Sequence, residues 1–492
     1  MCGIVGLIEN EEVVERLYRG LIALQHRGQD AAGLLTYDGI FHHRKGVGLV
    51  RDVFSTYEKV ENLVGNLGMG QVRYPTIGGG SVEDAQPFTV NYPYGIGIVH
   101  NGNVTNYNDV RRYLKEKTKR MLNSKNDVEA ILNVFAESLA GRVKEKLNFE
   151  DIIASVTDVF DVVKGAYSVL AYISGQGMVA FRDPYGIRPL VMGTRKEGFL
   201  TEYAFASESS ALSLLGYKEF RDLEAGEVVF IDENRVLHSA RIEKYKALPH
   251  TPCIFEWVYF ARPDAVIDRV NVYRSRVCMG KLLAAEVKKR GIEVDVVIPI
   301  PDSSRDAAIE LAFDLGLTYR EGLVKNRYIG RTFIMPGERA RKSSVIQKLN
   351  PIEGELKGKK VLLVDDSIVR GNTSRNIVNM VREAGAEKVY FASYSAPLTH
   401  PCFYGIDMQT RNEFIAFGRN EEEVAKIIGA DTVIYQTLEN MQEAVRVNNP
   451  ALKNFCCACF TGRYPTKEIN NEIIEEIEQE RRIEAGKKSS RS

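Results

Sequence analysis

The segment Val361-Leu362-Leu363-Val364-Asp365-Asp366-Ser367-Ile368-Val369-Arg370-Gly371-Asn372-Thr373-Ser374 constrains the fold more than any other stretch of the chain. Its apolar run reads as a strand buried on both faces, the kind found in parallel sheets. That strand delivers two adjacent carboxylates to its C-terminal edge, and a short loop with Gly, Thr and Ser then opens a helix. Backbone N–H groups at the helix start, with the hydroxyls, form a cradle for phosphate. The carboxylates suit two ribose hydroxyls, or a magnesium ion held partly through water. Ligands bind at such strand ends in open α/β sheets. The bland reading is an ordinary strand–loop–helix with a capping Asp, and the length of the pattern speaks against it.

The surrounding sequence keeps the same rhythm. Strands are predicted at residues 294–301, 360–364 and 388–393, with helices at 304–314 and 373–384. Before Pro249 and Pro252 the rhythm differs. Residues 1 to about 245 alternate short β-rich segments with glycine turns, and helical stripes appear only at 124–140 and 149–160. Strands are predicted at 3–8, 95–99, 167–173 and 227–231. This order indicates a layered α+β domain rather than regular βαβ winding. The expected division is residues 2–245, residues 246–465, and a charged C-terminal helix or tail at 466–492.

At 492 residues, two domains are the natural expectation. Lys plus Arg and Asp plus Glu number 65 each, so no basic field recruits nucleic acid or an anionic membrane. No apolar run approaches the roughly 20 residues that span a bilayer, and the start lacks the pattern of a signal peptide. A cytoplasmic protein is expected.

Cys2 follows Met1 directly. With Met1 removed, a thiol and an α-amino group with a pKa of about 7.7–8.0 belong to one residue, so a base stands beside the nucleophile without any histidine. By itself a second-position Cys opening a buried strand is more often structural. Four clusters in the same half favour chemistry. Arg27-Gly28-Gln29-Asp30-Ala31-Ala32-Gly33 is a glycine-bracketed turn with an Arg and an Asp. Gly70-Gln71-Val72-Arg73-Tyr74-Pro75-Thr76 offers a guanidinium suited to a carboxylate. His100-Asn101-Gly102-Asn103 ends an apolar strand with the amide and backbone N–H that an oxyanion hole requires. Asn126-Asp127 opens a helix and could hold an ammonium. The plainer alternatives are a hairpin turn at Asn101-Gly102, an N-cap at Asp127 and a packed strand residue at His100.

Together these residues resemble the glutaminase domain of the N-terminal-nucleophile amidotransferases. The resemblance covers nearly all of residues 2–235 and implies an αββα sandwich, two sheets between helix layers. It implies Cys2 as nucleophile, Arg73 and Asp127 gripping the α-carboxylate and α-ammonium of glutamine, and Asn101 and Gly102 stabilising the oxyanion. Ala31 departs from the Ser common in relatives. Only Met1 precedes Cys2, so maturation is expected to need methionine removal alone.

The segment ending in Ser374 is similar to the phosphoribosyl-pyrophosphate (PRPP) signature of the type I phosphoribosyltransferases, which implies an α/β domain with a parallel sheet. Asp365, Asp366, Ser367, Arg370, Gly371, Asn372, Thr373 and Ser374 are then PRPP-binding residues, with Asn372 where Thr is usual. Pro301-Asp302-Ser303-Ser304 resembles the pyrophosphate loop. Ser303, Asp365 and Asp366 become candidate Mg2+ ligands. Lys325-Asn326-Arg327-Tyr328-Ile329-Gly330-Arg331-Thr332-Phe333 resembles the family's lid, with Lys325 and Tyr328 reaching PRPP. A solvated basic loop is the alternative.

Of seven cysteines, six lie after residue 250: Cys253, Cys278, Cys402, Cys456, Cys457 and Cys459. Cys456-Cys457-Ala458-Cys459 has the two-residue spacing that chelates a metal or cluster. From spacing alone, zinc is favoured. The contexts of Cys253 and Cys402, with Phe260-Ala261-Arg262-Pro263-Asp264 and Cys459-Phe460-Thr461-Gly462, resemble the iron–sulfur subclass of the glutamine PRPP amidotransferase family. That resemblance implies a structural 4Fe–4S cluster on Cys253, Cys402, Cys456 and Cys459, with Cys278 and Cys457 left as buried thiols. It also implies glutamine and PRPP as substrates, feedback inhibition by purine nucleotides, and a homo-oligomer, commonly a tetramer. Two other functions stay open here. Another glutamine-dependent amidotransferase would share residues 1–235, and a PRPP-sensing regulator would share only the second half.

Overall fold

The computed structural model describes residues 1–74, 81–197, 200–326, 349–406, 410–469 and 475. The N-terminal half is built on two antiparallel sheets. In the seven-stranded sheet, Gly3–Ile8 lies centrally between Leu200–Ala206 and Leu67–Arg73. In the six-stranded sheet, Gly165–Ile173 pairs with Ile96–Val104 and with Gly177–Arg182. Side chains alternate across each strand, so each sheet has two faces to cover. Val5 and Leu7 point into a core beneath the helices Val14–Ala23 and Ser209–Leu214. Ile4 and Ile8 point the other way and meet Leu170 and Tyr172 of the second sheet. Tyr167, Val169 and Ala171 then face the helices Asp127–Ala140 and Phe149–Val162. The result is helix, sheet, sheet, helix, as the glutaminase resemblance implies.

The C-terminal half holds a five-stranded parallel sheet, ordered Thr318–Tyr319, Val296–Pro299, Lys360–Asp365, Lys388–Ser393, Thr432–Tyr435. Val361 and Leu363 pack under the helices Asn372–Glu383 and Glu421–Ile428, whereas Leu362 and Val364 pack under Val272–Lys289 and Arg305–Leu315. Both faces are covered, which is why the strands read as apolar runs without alternation. Register aligns Pro299 with Val364 and Asp365 with Ser393, so the loops after these strands open at one edge.

The two halves share a core. Met1, Ala166 and Ile187 belong to the same apolar cluster as Ile254, Trp257, Leu398 and Tyr404. Among the described residues, no helix is long and apolar enough to cross a membrane.

Candidate functional site

Cys2 is buried where the central strand of the seven-stranded sheet begins, and three groups fix it. Its backbone N–H donates to Asn101 Oδ1 at 3.2 Å, its thiol lies 3.7 Å from the Tyr74 carbonyl, and Arg27 Nε donates to its carbonyl at 3.0 Å. Asn101 lies inside the nine-residue strand Ile96–Val104 rather than at its end or in a hairpin turn, because the sheet pairs it with Ser168. The other end of its amide, Nδ2, is buried with no hydrogen-bond partner among the described residues. An unpaired buried donor costs about 1–3 kcal/mol unless something fills it. Beside the thiol, that is the donor a developing oxyanion needs.

Asp127 does not cap its helix. Asn126 does so, accepting from Val128 N–H at 3.1 Å, which frees the carboxylate of Asp127 to turn inward. There Asp127 Oδ2 accepts from Val104 N–H at 2.9 Å and lies 3.4 Å from His100 Nε2. Gln86 Nε2 donates to His100 Nδ1 at 2.7 Å, which leaves the ring proton on Nε2 facing the carboxylate. Burial alone pushes the Asp127 carboxyl up. His100, the Val104 N–H and Arg73 outweigh it and hold the group below the usual carboxylate range. The last of these brings Arg73 and Asp127 within electrostatic reach of each other, as one amino-acid ligand requires. His100 is a packed strand residue that positions Asp127.

At the parallel sheet's edge, Ser303 Oγ donates to Asp366 Oδ2 at 2.5 Å and Ser367 Oγ donates to Oδ1 at 2.6 Å. The Asp366 N–H is taken by Asp365 Oδ1 at 2.9 Å. Burial and the adjacent Asp366 charge push Asp365 well up, and burial raises Asp366. Two crowded carboxylates with a hydroxyl are hard oxygen donors, a set that fits magnesium. Gly371 caps the helix Asn372–Glu383 with a φ of +76° and no side-chain hydrogen bond, so the first-turn N–H groups keep no cap. Thr373 and Asn372 are exposed there, and Ser374 is buried. Arg370 is turned onto Glu413. Lys325 Nζ meets Asp302 Oδ2 at 2.7 Å, bringing the strand Leu323–Lys325 to the Pro301–Ser304 loop. Tyr328 and the rest of the lid motif from residue 327 lie outside the described residues.

Cys253, Cys402, Cys456 and Cys459 are all buried, and Cys253 and Cys456 pair directly as an isolated parallel bridge. Burial is the main cause pushing Cys253 up to about 12 and Cys456 and Cys459 well up, and the neighbouring cysteines add to it. The Cys402 sulfur nevertheless accepts an N–H from the residue two positions on, Tyr404, at 3.4 Å. Such donors stabilise thiolates, so the set fits a group that binds thiolate sulfur. Among the described residues no three His, Cys, Asp or Glu side chains converge tightly enough to hold a single ion. Cys457 accepts from Gln442 Nε2 at 3.4 Å, and Cys278 is only half-buried on its helix.

The sequence places Arg27 in a candidate cluster without a partner, and it does not mark Arg188, Glu208 or Glu256. Arg27 donates to Glu208 at 2.5 Å and to Glu256 at 2.8 and 3.1 Å, all wholly buried. Partners 181 and 229 positions away leave no local signal. Arg276 was missed as well. It donates to the carbonyls of Trp257, Tyr259 and Ala261, and its charge reaches Asp366.

Residues 76–214 match the glutamine amidotransferase domain family and residues 278–397 the phosphoribosyl transferase domain family. Amidophosphoribosyltransferase of Haemophilus influenzae is 49% identical over 494 residues, covering 99% of this chain and 97% of that protein. The Saccharomyces cerevisiae amidophosphoribosyltransferase is 44% identical, covering 98% and 95%. Among solved structures, glutamine PRPP amidotransferase from Bacillus subtilis complexed with ADP and GMP superposes with a TM-score of 0.83 at 36% identity, covering 96% of this chain and 98% of that one.

Proposed function

The chain belongs to the amidophosphoribosyltransferase family, and from that premise we propose how its residues divide the reaction. Glutamine, PRPP and water become 5-phosphoribosylamine, glutamate and pyrophosphate, a step of purine synthesis. In our reading residues 2–245 cleave glutamine, residues 246–465 use PRPP, and residues 466–492 form a charged extension.

Removal of Met1 turns the Cys2 nitrogen into an α-amine. Arg73 and Asp127 hold the α-carboxylate and α-ammonium of glutamine, and the Cys2 sulfur attacks its side-chain amide. The α-amine takes the thiol proton and returns it to the leaving ammonia. Asn101 Nδ2 and the Gly102 N–H stabilise the tetrahedral oxyanion, and water then hydrolyses the thioester. The observation that carries this assignment is the divided amide of Asn101: Oδ1 holds the nucleophile's nitrogen and Nδ2 has no partner among the described residues.

Ammonia must arrive at C1 of PRPP unprotonated, because ammonium has no lone pair. Asp365 and Asp366 bind the ribose or its metal, and Ser367, Arg370, Gly371, Asn372, Thr373 and Ser374 bind the 5-phosphate. Lys325 and Tyr328 close over the pyrophosphate. Ser303, Asp365 and Asp366 would hold Mg2+, which when bound neutralises the departing pyrophosphate. Cys253, Cys402, Cys456 and Cys459 would hold a 4Fe–4S cluster, which when bound cross-links distant parts of the chain without entering the reaction. The resemblance of the Cys253, Cys402 and Cys459 contexts to the iron–sulfur subclass, rather than the cysteine spacing, favours this over zinc. By the same reading the enzyme is cytoplasmic, works as a homo-oligomer, commonly a tetramer, and is feedback-inhibited by purine nucleotides.

The test is stoichiometry. Purified, iron-replete protein given glutamine and PRPP releases glutamate and pyrophosphate in equal amounts. Glutamate release that ignores PRPP favours a different glutamine-dependent amidotransferase, and release of neither product favours a PRPP-sensing regulator.

A further inference from the structure

Arg188 is wholly buried, and its nitrogens do unequal work. Nε donates to the Tyr404 carbonyl at 2.6 Å, in the loop that carries Cys402. Nη1 contacts Met1 Sδ and reaches Glu256 Oε1 at 3.4 Å. Nη2 is buried with no hydrogen-bond partner among the described residues. The thiols of Cys253, Cys402 and Cys456 are the guanidinium's electrostatic neighbours, together with Glu256. A guanidinium always carries its charge, and a buried one with an empty donor is expensive unless an anion completes it. A cluster held by four thiolates is such an anion, and donors to its sulfurs set its potential and retention.

The other side of Arg188 leads to the nucleophile. Glu256 lies between Arg188 and Arg27, and Arg27 Nε holds the carbonyl of Cys2 at 3.0 Å. The cysteine site and the catalytic sulfur are therefore joined by a run of buried, charge-assisted hydrogen bonds.

We propose that Arg188 completes the four-cysteine site: its free Nη2 donates to the sulfur of the bound cluster, and through Glu256 and Arg27 the occupied site positions Cys2. The proposal rests on the iron–sulfur reading. Arg188 is a positioning residue and touches no substrate.

The experiment compares wild type, Arg188→Lys and Arg188→Gln, purified anaerobically as full-length protein. Wild type carries about four irons with matching sulfide per chain. Arg188→Gln shifts the cluster's midpoint potential more negative and releases iron to a chelator about 10- to 100-fold faster. Alkylation of its Cys2 slows while ammonia-dependent synthesis persists, and Arg188→Lys recovers part of each change. In reduced wild type labelled with 15N-arginine, pulsed EPR detects coupling between the cluster and a guanidinium nitrogen, a readout independent of whether any variant folds. Iron-free wild type refutes the cluster reading and this proposal with it. Iron-loaded wild type without that coupling, or an unshifted potential in Arg188→Gln, overturns the role of Arg188 alone. Unchanged Cys2 alkylation overturns the link to the nucleophile.

Discussion

Asn103 Nδ2 donates to the Phe403 carbonyl at 2.9 Å, fastening the strand that carries Asn101 and Gly102 to the loop that carries Cys402. Two residues further along that loop, Gly405 lies against Gly102 with a φ of +104°. A side chain there would come within 3.2 Å of the Gly102 carbonyl. Gly405→Ala therefore strains its own backbone by about 1–3 kcal/mol and presses on the strand proposed to hold the oxyanion. Glutamine-dependent turnover should fall on the order of tenfold, with ammonia-dependent synthesis much less affected. Equal loss of both would mean that the loop serves only folding.

In the proposed reading, Asp127 serves glutamine binding rather than the chemical step. Removing a buried charge partner costs about 3 kcal/mol, so Asp127→Asn should raise the KM for glutamine on the order of 10²-fold with a smaller change in kcat. The carboxyl is held below its usual value, so its stabilising charge is fully present above the unfolded pKa of about 3.9. That contribution is lost only as pH falls through the lower folded value. KM for glutamine should thus stay flat from about pH 8 to 5, while kcat falls as the α-amine of Cys2 takes up a proton. A KM rising across that interval contradicts the assignment; steady-state kinetics at several pH values decide it.

At the PRPP edge, Ser303 and Asp366 form one unit. Asp366→Asn should lower synthesis from glutamine and from ammonia alike, on the order of 10²-fold, as expected when a metal-held leaving group loses a ligand. Ser303→Ala removes a hydrogen bond to a carboxylate, worth about 1.5–3 kcal/mol, and should cost roughly 10- to 150-fold. Basal glutamate release should survive in both. Pyrophosphate and glutamate assays on the same samples show whether the two activities separate.

The cysteines sort by environment. Cys402→Ser should empty the protein of iron and lower stability and both activities together. Cys278→Ser and Cys457→Ser should keep their iron and cost about 1–2 kcal/mol at most. Iron retained in the first, or lost from the second, contradicts the ligand set. Iron content and thermal melts on all three variants read this out.

Local patterns were legible and long-range ones were not. The strand at 360–364 and the helix at 373–384 appear within one residue, at Lys360–Asp365 and Asn372–Glu383, because burial and loop chemistry are written in adjacent positions. The strand Leu67–Arg73 went unread because Gly68 and Gly70 interrupt its alternation. Asn101-Gly102 looked like a turn or a strand end. Pairing with Ser168 and Tyr167, more than sixty positions on, draws both into a strand instead. The Arg27–Glu256 and Arg188–Glu256 contacts lie beyond any local pattern, and no composition or spacing marks them. Cys2, Arg73, Asp127 and the Asp365–Asp366 pair stand out in the sequence because each couples a distinctive residue type to a strand or helix end.

The central claim is that one chain makes ammonia at Cys2 and consumes it at the Asp365–Asp366 edge. Cys2→Ala tests it most directly, by measuring phosphoribosylamine formation from glutamine and, separately, from added ammonia. The account predicts no product from glutamine and near-normal synthesis from ammonia. Glutamine-dependent product in Cys2→Ala, or loss of the ammonia route in a folded variant, would contradict it.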